Sequence, residues 1–396
     1  MDRRRFLHAV TGLAAAGALS RCSSVPRPPP ERQRIVLVRF GGGVRHQDLF
    51  GDRKRCLAPH LRHLAESGAF YPELWNDHLT RHDAANLYLL TGQYGARLGS
   101  NAEGPKNVEE LSAVPTLFER YRKAWNRPLS KVLAAGVPDC SNAEEFGEPY
   151  RAMTFAPEGA SDSPSFSGDE SLGPCAHRIL GNERLLRIVG SIPPGTVPKS
   201  EDARRGFLLA ATRSDLESHP LAIGELTPAV AEALTGRLLA GRPFIAADEA
   251  DDWLTSLTLE ALVRLRPELV MIAFSTPDLA HRGAWRSYEA AVRQVDLQLS
   301  RLTRFLSTNP YYRSRTTLLI TTDCGRGAEQ FDEHMVPFDD PSHRHLFLLA
   351  TGVGQRSPIV IEERRQQVDV AASIATMLEF DLDGAADGVP LLEVVS

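Results

Sequence analysis

Two stretches decide how this chain is read: Glu268-Leu-Val-Met-Ile-Ala-Phe274-Ser-Thr-Pro-Asp278-Leu-Ala-His281 and Thr316-Thr-Leu-Leu-Ile-Thr-Thr322-Asp323-Cys324-Gly325-Arg326. Each begins as a short run with an apolar centre and then breaks into polar residues. Such a run reads as a strand buried on both faces. Between them, residues 288–306 carry the spacing of a long amphipathic helix. Strand, helix, strand is the repeating unit of a parallel sheet. In sheets of that kind ligands bind at the carboxyl ends of the strands, which is where both polar breaks fall.

The same pattern extends outward. Arg34-Ile-Val-Leu-Val-Arg-Phe40 is another apolar run, and it stops at Gly41-Gly42-Gly43. Further strands are expected at 69–75, 129–135 and 346–350. Helices are expected at 57–67, with Gly68 as C-cap, and at 83–90, closed by Thr91-Gly92. Others are expected at 116–124, 201–218, 227–239, 251–266 and 368–378. The fold class is therefore α/β: a central, mostly parallel sheet with helices on both faces. Residues 137–200 break the pattern, being rich in Pro, Gly, Ser and acids, and read as a long irregular insertion. The domain spans 35–394, and no internal repeat is visible.

Composition narrows the function. The 396 residues hold 45 Lys+Arg and 50 Asp+Glu, a net charge of −5, which gives nucleic acid no general electrostatic attraction. With 42% hydrophobic and 24% charged residues the chain is globular, and five cysteines are too few for a disulfide scaffold. The chain opens Met1-Asp-Arg-Arg-Arg-Phe-Leu-His8, followed by an apolar stretch to Leu19. Residues 1–24 read as a signal peptide of the twin-arginine type. Cys22 resembles a lipoprotein cleavage site, from which Arg21 departs. Residues 25–34 are a Pro/Arg-rich linker. The expected location is the periplasm or cell envelope, with membrane contact only through an N-terminal lipid anchor. An oxidising compartment would allow Cys140 and Cys175 to pair.

Four constellations could carry chemistry. Asp278 and His281 lie three apart in one loop, where carboxylate and imidazole both suit zinc; Asp278 as a helix cap is the plainer reading. Asp323 ends a buried strand, a costly place for an acid unless it is paired, solvated or bound to a cation. Cys324 after it is either a thiolate ligand or a small buried hydrophobe. His334, His343 and His345 cluster in the segment that follows. Lastly, Thr80-Arg81-His82-Asp83 stands at the start of a helix, as caps or as site residues.

In this order, the segments resemble the alkaline phosphatase-like superfamily, which holds sulfatases, phosphodiesterases and cofactor-independent phosphoglycerate mutases. The resemblance rests on Asp278-x-x-His281-x-Gly, the Tyr288 helix with Asp296, Thr322-Asp323-x-Gly325-Arg326, and Asp387-Gly388 after the last helix. It implies divalent metals at the strand ends. Asp278, His281 and a late histidine, His334 before His343, would hold one ion. A second centre would need an Asp after the first strand, the nucleophile and an Asp-His pair. There the sequence departs. Gly42 stands for the Asp, His82 falls at the nucleophile position nine residues before Thr91, and Asp323-Cys324 replaces Asp-His. Thr80 is the weaker alternative nucleophile, and His82, Asp323 and Cys324 together could form an N, O, S zinc site.

Two functions follow. One is an exported, metal-dependent hydrolase of phosphate or sulfate esters, with one zinc rather than two, or a transferase acting on an envelope glycan or lipid headgroup. The other is a catalytically inactive relative, with no bound metal, serving as a periplasmic or surface binding or scaffold protein. The substrate would be a small-molecule ester or an envelope headgroup, and no nucleic acid.

Overall fold

The computed structural model describes residues 33–80, 82–94, 115–136, 198–217, 227–240, 249–274, 276–279, 285–327, 341–353, 358–382, 386–391 and 393. The side chains at 82, 83 and 278 lie outside that description, as do the leader 1–32, nearly all of the insertion, and Cys140, Cys175, His281 and His334.

In chain order the elements are β1 (Arg34–Arg39), α1 (His46–Phe50), α2 (Pro59–Ser67), β2 (Ala69–Trp75), α3 (His82–Thr91), α4 (Leu117–Trp125) and β3 (Val132–Gly136). Helices α5 (Glu201–Glu217), α6 (Thr227–Leu239) and α7 (Ala250–Leu265) lead to β4 (Leu269–Ala273). Then come α8 (Thr276–Leu279), α9 (Trp285–Thr308), β5 (Thr316–Thr321), α10 (Pro341–Arg344) and β6 (His345–Gly352). The chain closes through β7 (Ile359–Val360), β8 (Arg365–Gln366) and α11 (Asp369–Met377).

The sheet has eight strands in the order β3-β4-β1-β5-β6-β2-β7, with β8 also paired to β2. β3, β4, β1 and β5 run parallel, while β6 is antiparallel to both of its neighbours, so β2 points the same way as β5. The expected strands all form, except that the one expected at 129–135 begins only at Val132, because Leu129–Lys131 is a 3-10 turn after Pro128. The unanticipated elements are short ones, too brief to show periodicity in sequence: α1, α8, α10, β7 and β8.

Alternation along β1 explains why helices cover both faces. Ile35 and Leu37 point into one core with Leu89 and Leu90 of α3, Phe118 of α4 and Val370 of α11. Val36 and Val38 point into the other, with Leu61 of α2, Leu234 of α6, Leu257 of α7 and Val292 of α9. A strand buried on both sides has no polar face, which is why its sequence is a continuous apolar run.

Gly68 does follow α2, but not as a left-handed cap. Its backbone is extended, with φ −114° and ψ −164°. What requires glycine is proximity, since a Cβ there would lie 2.5 Å from the Ala350 carbonyl oxygen of β6. The opposite end of α2 is capped from outside. Ala58 offers no side-chain cap, and Asp296 of α9 instead accepts the His60 and Leu61 N–H groups at 3.0 and 2.8 Å. Burial raises the Asp296 carboxyl, and those two hydrogen bonds oppose the rise. Asp296→Ala should therefore cost about 1–2 kcal/mol, as loss of a helix cap does. Urea unfolding measures it, and Asp296→Asn, which keeps one acceptor, should cost less.

Candidate functional site

Strand direction sets the site. β1, β4 and β5 all end at one edge of the sheet, and β2 ends there too after two antiparallel steps. β6 begins at this edge, as the pairing of His345 with Trp75 shows. The candidates on described backbone are consequently gathered together. Thr80, which is half-buried, and the backbone of His82, the first residue of α3, follow β2. Asp278 lies in α8 after β4, Asp323 and Cys324 follow β5, and His343 precedes β6.

Asp323 is fully buried, and its partner is a residue the sequence reading passed over. Arg39, the last residue of β1, is 1% exposed and places Nη1 3.0 Å from Asp323 Oδ2. The other carboxylate oxygen accepts the Cys324 N–H at 2.8 Å. The Asp323 carbonyl accepts the Gln367 amide at 3.0 Å. An arginine ending an apolar strand needed a counter-ion as much as the aspartate did.

The glycine run after β1 makes this approach possible. Gly41 has φ +81°, and a Cβ there would lie 2.7 Å from Pro277 of α8. The Gly43 N–H donates to Cys324 Sγ at 3.2 Å, and Val44 forms a parallel bridge with Gly325. Gly325 is hemmed in further: its N–H donates to the His343 carbonyl at 2.8 Å, and a Cβ would fall 1.9 Å from the Ser342 carbonyl. Buried Arg326 lays its guanidinium over the Tyr288 ring at 4.5 Å. Tyr288 in turn donates to Asp48 at 3.2 Å and accepts the Arg45 N–H at 3.0 Å. The Asp-Cys-Gly-Arg motif thus ties β5 to the loop after β1 and to α9.

Other motif residues take structural duties. Asp387 accepts the Tyr94 N–H at 2.8 Å and donates its own N–H to the Gly92 carbonyl at 2.8 Å, so Leu-Thr-Gly and Asp-Gly form one clasp. Buried Asp251 of α7 accepts the Thr276 N–H at 3.1 Å and so fixes the start of α8, which carries Asp278. Asn86, one turn after His82 on α3, is fully buried, and among the described residues neither of its amide atoms is hydrogen-bonded and Gln367 Oε1 is likewise unmatched. Such groups mark a site where a water or ligand completes the bonding. Asp-Gly spacing or buried polar pairing carries no local periodicity, so sequence alone could not have assigned these duties.

Among the described residues no cluster of three or more His, Cys, Asp or Glu is placed to hold a metal. The second centre does not fit an ion with the described donors. Gly42 has no side chain, both Asp323 oxygens are engaged, and Cys324 Sγ receives a backbone N–H.

No family model matches the chain, and no curated protein matches it. Solved structures do. The phosphonate monoester hydrolase SpPMH from Silicibacter pomeroyi aligns with 92% of this chain and 76% of its own, at TM-score 0.52 and 14% identity. A Bacteroides thetaiotaomicron protein of a core locus for metabolism of multiple glycosaminoglycans aligns over 92% and 82%, at 0.53 and 13%. A multiple-site mutant of alkaline phosphatase PafA aligns over 92% and 99%, at 0.52 and 9%. The chain has the alkaline phosphatase-like fold. At such identities the likeness is one of fold, and chemistry must be argued from side chains.

On this alkaline phosphatase-like scaffold, the histidine nearest His343 is structural. His345 Nε2 lies 2.9 Å from the Pro72 carbonyl, and its ring stacks between Trp75 at 4.7 Å and His46 at 4.6 Å. His46 Nε2 is buried with no hydrogen-bond partner among the described residues. Burial first, and His345 beside it second, lower the His46 pKa from 6.5 to about 4, against the pull of Glu73. The unfolded chain then binds a proton near pH 6.5 that the folded chain refuses until about pH 4. Stability from neutral His46 is complete above 6.5 and falls as pH drops toward 4. Urea midpoints should show roughly 2 kcal/mol of that loss between pH 7.5 and pH 5. His46→Phe should flatten the slope, and an unchanged slope would count against the stack as its source.

Proposed function

We propose that this protein is an exported hydrolase of phosphate or sulfate esters, working with a single divalent ion, zinc. The observation that carries the reading is the common edge on which His82, Asp278 and Asp323 arrive from β2, β4 and β5. Asp278 and His281, with His334 and in second place His343, would hold the ion. His82 takes the nucleophile position, with Thr80 as the weaker alternative. An ion held there would act as a Lewis acid toward an ester oxygen. The start of α8, fixed by Asp251, holds the Asp278 backbone in place before any ion arrives. The substrate would be a small-molecule ester or an envelope glycan or lipid headgroup, met in the periplasm or at the cell envelope. An anchor at Cys22 would be the only membrane contact.

A second reading has its own support. The buried Arg39–Asp323 pair and the missing side chain at Gly42 favour a binding or scaffold protein that keeps the fold without turnover.

Elemental analysis and hydrolysis of p-nitrophenyl phosphate and p-nitrophenyl sulfate separate the two. A hydrolase should carry one zinc per chain, which Asp278→Ala and His281→Ala remove. His82→Ala should keep the zinc and lower turnover by at least about 1,000-fold, the scale of losing a nucleophile. No zinc and no turnover in the wild type would establish the scaffold.

A further inference from the structure

We infer that the Arg39 guanidinium takes the place of a second metal ion, so that this half of the strand-end site carries its own permanent cation. Asp323 is the anion such an ion would need. In this chain it faces Arg39 Nη1 at 3.0 Å, with the two side chains 1% and 0% exposed. The guanidinium also reaches toward the Phe274 carbonyl at the end of β4, at 3.5 Å. It therefore spans the ends of three adjacent strands, β4, β1 and β5, coming from the middle one.

The neighbouring positions fit this arrangement. A divalent ion wants several anionic or neutral donors with lone pairs directed at one point. Gly42 supplies none. Cys324 Sγ accepts the Gly43 N–H, a contact that points the sulfur at the backbone of the glycine turn. The second Asp323 oxygen is held by the Cys324 N–H. A zinc ion held by Asp323 and Cys324 would have to break the ion pair and strand a buried guanidinium. Arginine is charged at all relevant pH values, so that cost would not be relieved by deprotonation.

The exchange has a chemical consequence. A metal can be removed by a chelator and competes with other ions; a guanidinium can do neither. The Asp323 carboxylate has a counter-charge as soon as the chain folds, before any metal is available. This inference does not depend on turnover, and it holds for a one-metal enzyme and for a scaffold.

The test compares metal content in wild type, the paired variant Arg39→Met/Asp323→Asn, and Cys324→Ala, all loaded with excess zinc and desalted. The paired variant removes both charges together, so neither member of the pair is left buried without the other. Zero or one ion per chain, with the same content in all three proteins, is the expected result. Two ions in the wild type, or loss of an ion in either variant, would overturn the inference. Cys324→Ala keeps the test decisive if the paired variant folds poorly. Thermal unfolding adds a second readout. Arg39→Met alone should lower Tm well below the paired variant, and zinc should raise its Tm more than it raises that of the wild type. Loss of zinc in Asp278→Ala bears on the proposed hydrolase alone, so the two ideas fail separately.

Discussion

Everything in this molecule hangs from β1. It is hydrogen-bonded along its whole length to β4 on one side and β5 on the other, and both of its faces are covered by helices. A strand so placed has almost no solvent-facing surface, so its backbone groups must be spent in the ladder. Its ends are then the first places where polarity can return. The glycine turn after Phe40, α8 after β4 and the Asp-Cys-Gly-Arg segment after β5 meet at the carboxyl edge because their strands are neighbours in register. The site is a by-product of that register.

The fold was legible because burial on both faces writes itself into local sequence. Val36, Val38, Val270 and Leu319 belong to apolar runs that no other element type explains as well. The site was legible only in part. Asp323 was marked as an acid that must be paired, solvated or bound to a cation, which is correct. The resemblance points to a metal ion as its partner, whereas the fold supplies Arg39, 284 residues away in sequence. Nothing local announces such a pair. The one available clue was an arginine at the end of a run that allows no exposed side chain. Asp296 and Asp387 are similar cases. The resemblance picked them out, and their observed duties, capping α2 and clasping Gly92, rest on contacts that only the folded chain creates.

The electrostatics of the edge follow one rule. Among the described residues each buried acid is met by backbone N–H groups, by a guanidinium or by both. Asp251 and Asp296 receive peptide N–H groups, Asp323 receives Arg39 and a peptide N–H, and Asp369 receives the N–H groups of Gln366 and Val389 at 2.8 Å each. Acids matched in this way rigidify the loops that hold them. Among the described residues the Asn86 amide and the Gln367 Oε1 atom, both unmatched, stand out against that background, since both side chains are fully buried close to elements that carry site candidates.

The position of β1 also dictates a timetable. It leaves the ribosome early, yet Ile35 pairs with Leu269 and Thr317, which follow 234 (269 − 35) and 282 (317 − 35) residues later. Contacts of that sequence separation make for slow folding, because a long loop must close before any pairing is gained. During synthesis the central strand of the sheet, with its apolar Ile35–Val38 run, therefore waits without its partners until most of the chain up to β5 has been made. The last strand to pair with it, β5, completes the centre and delivers Asp323 to Arg39 in the same event. Closure of the sheet and neutralisation of its most deeply buried charges are one step.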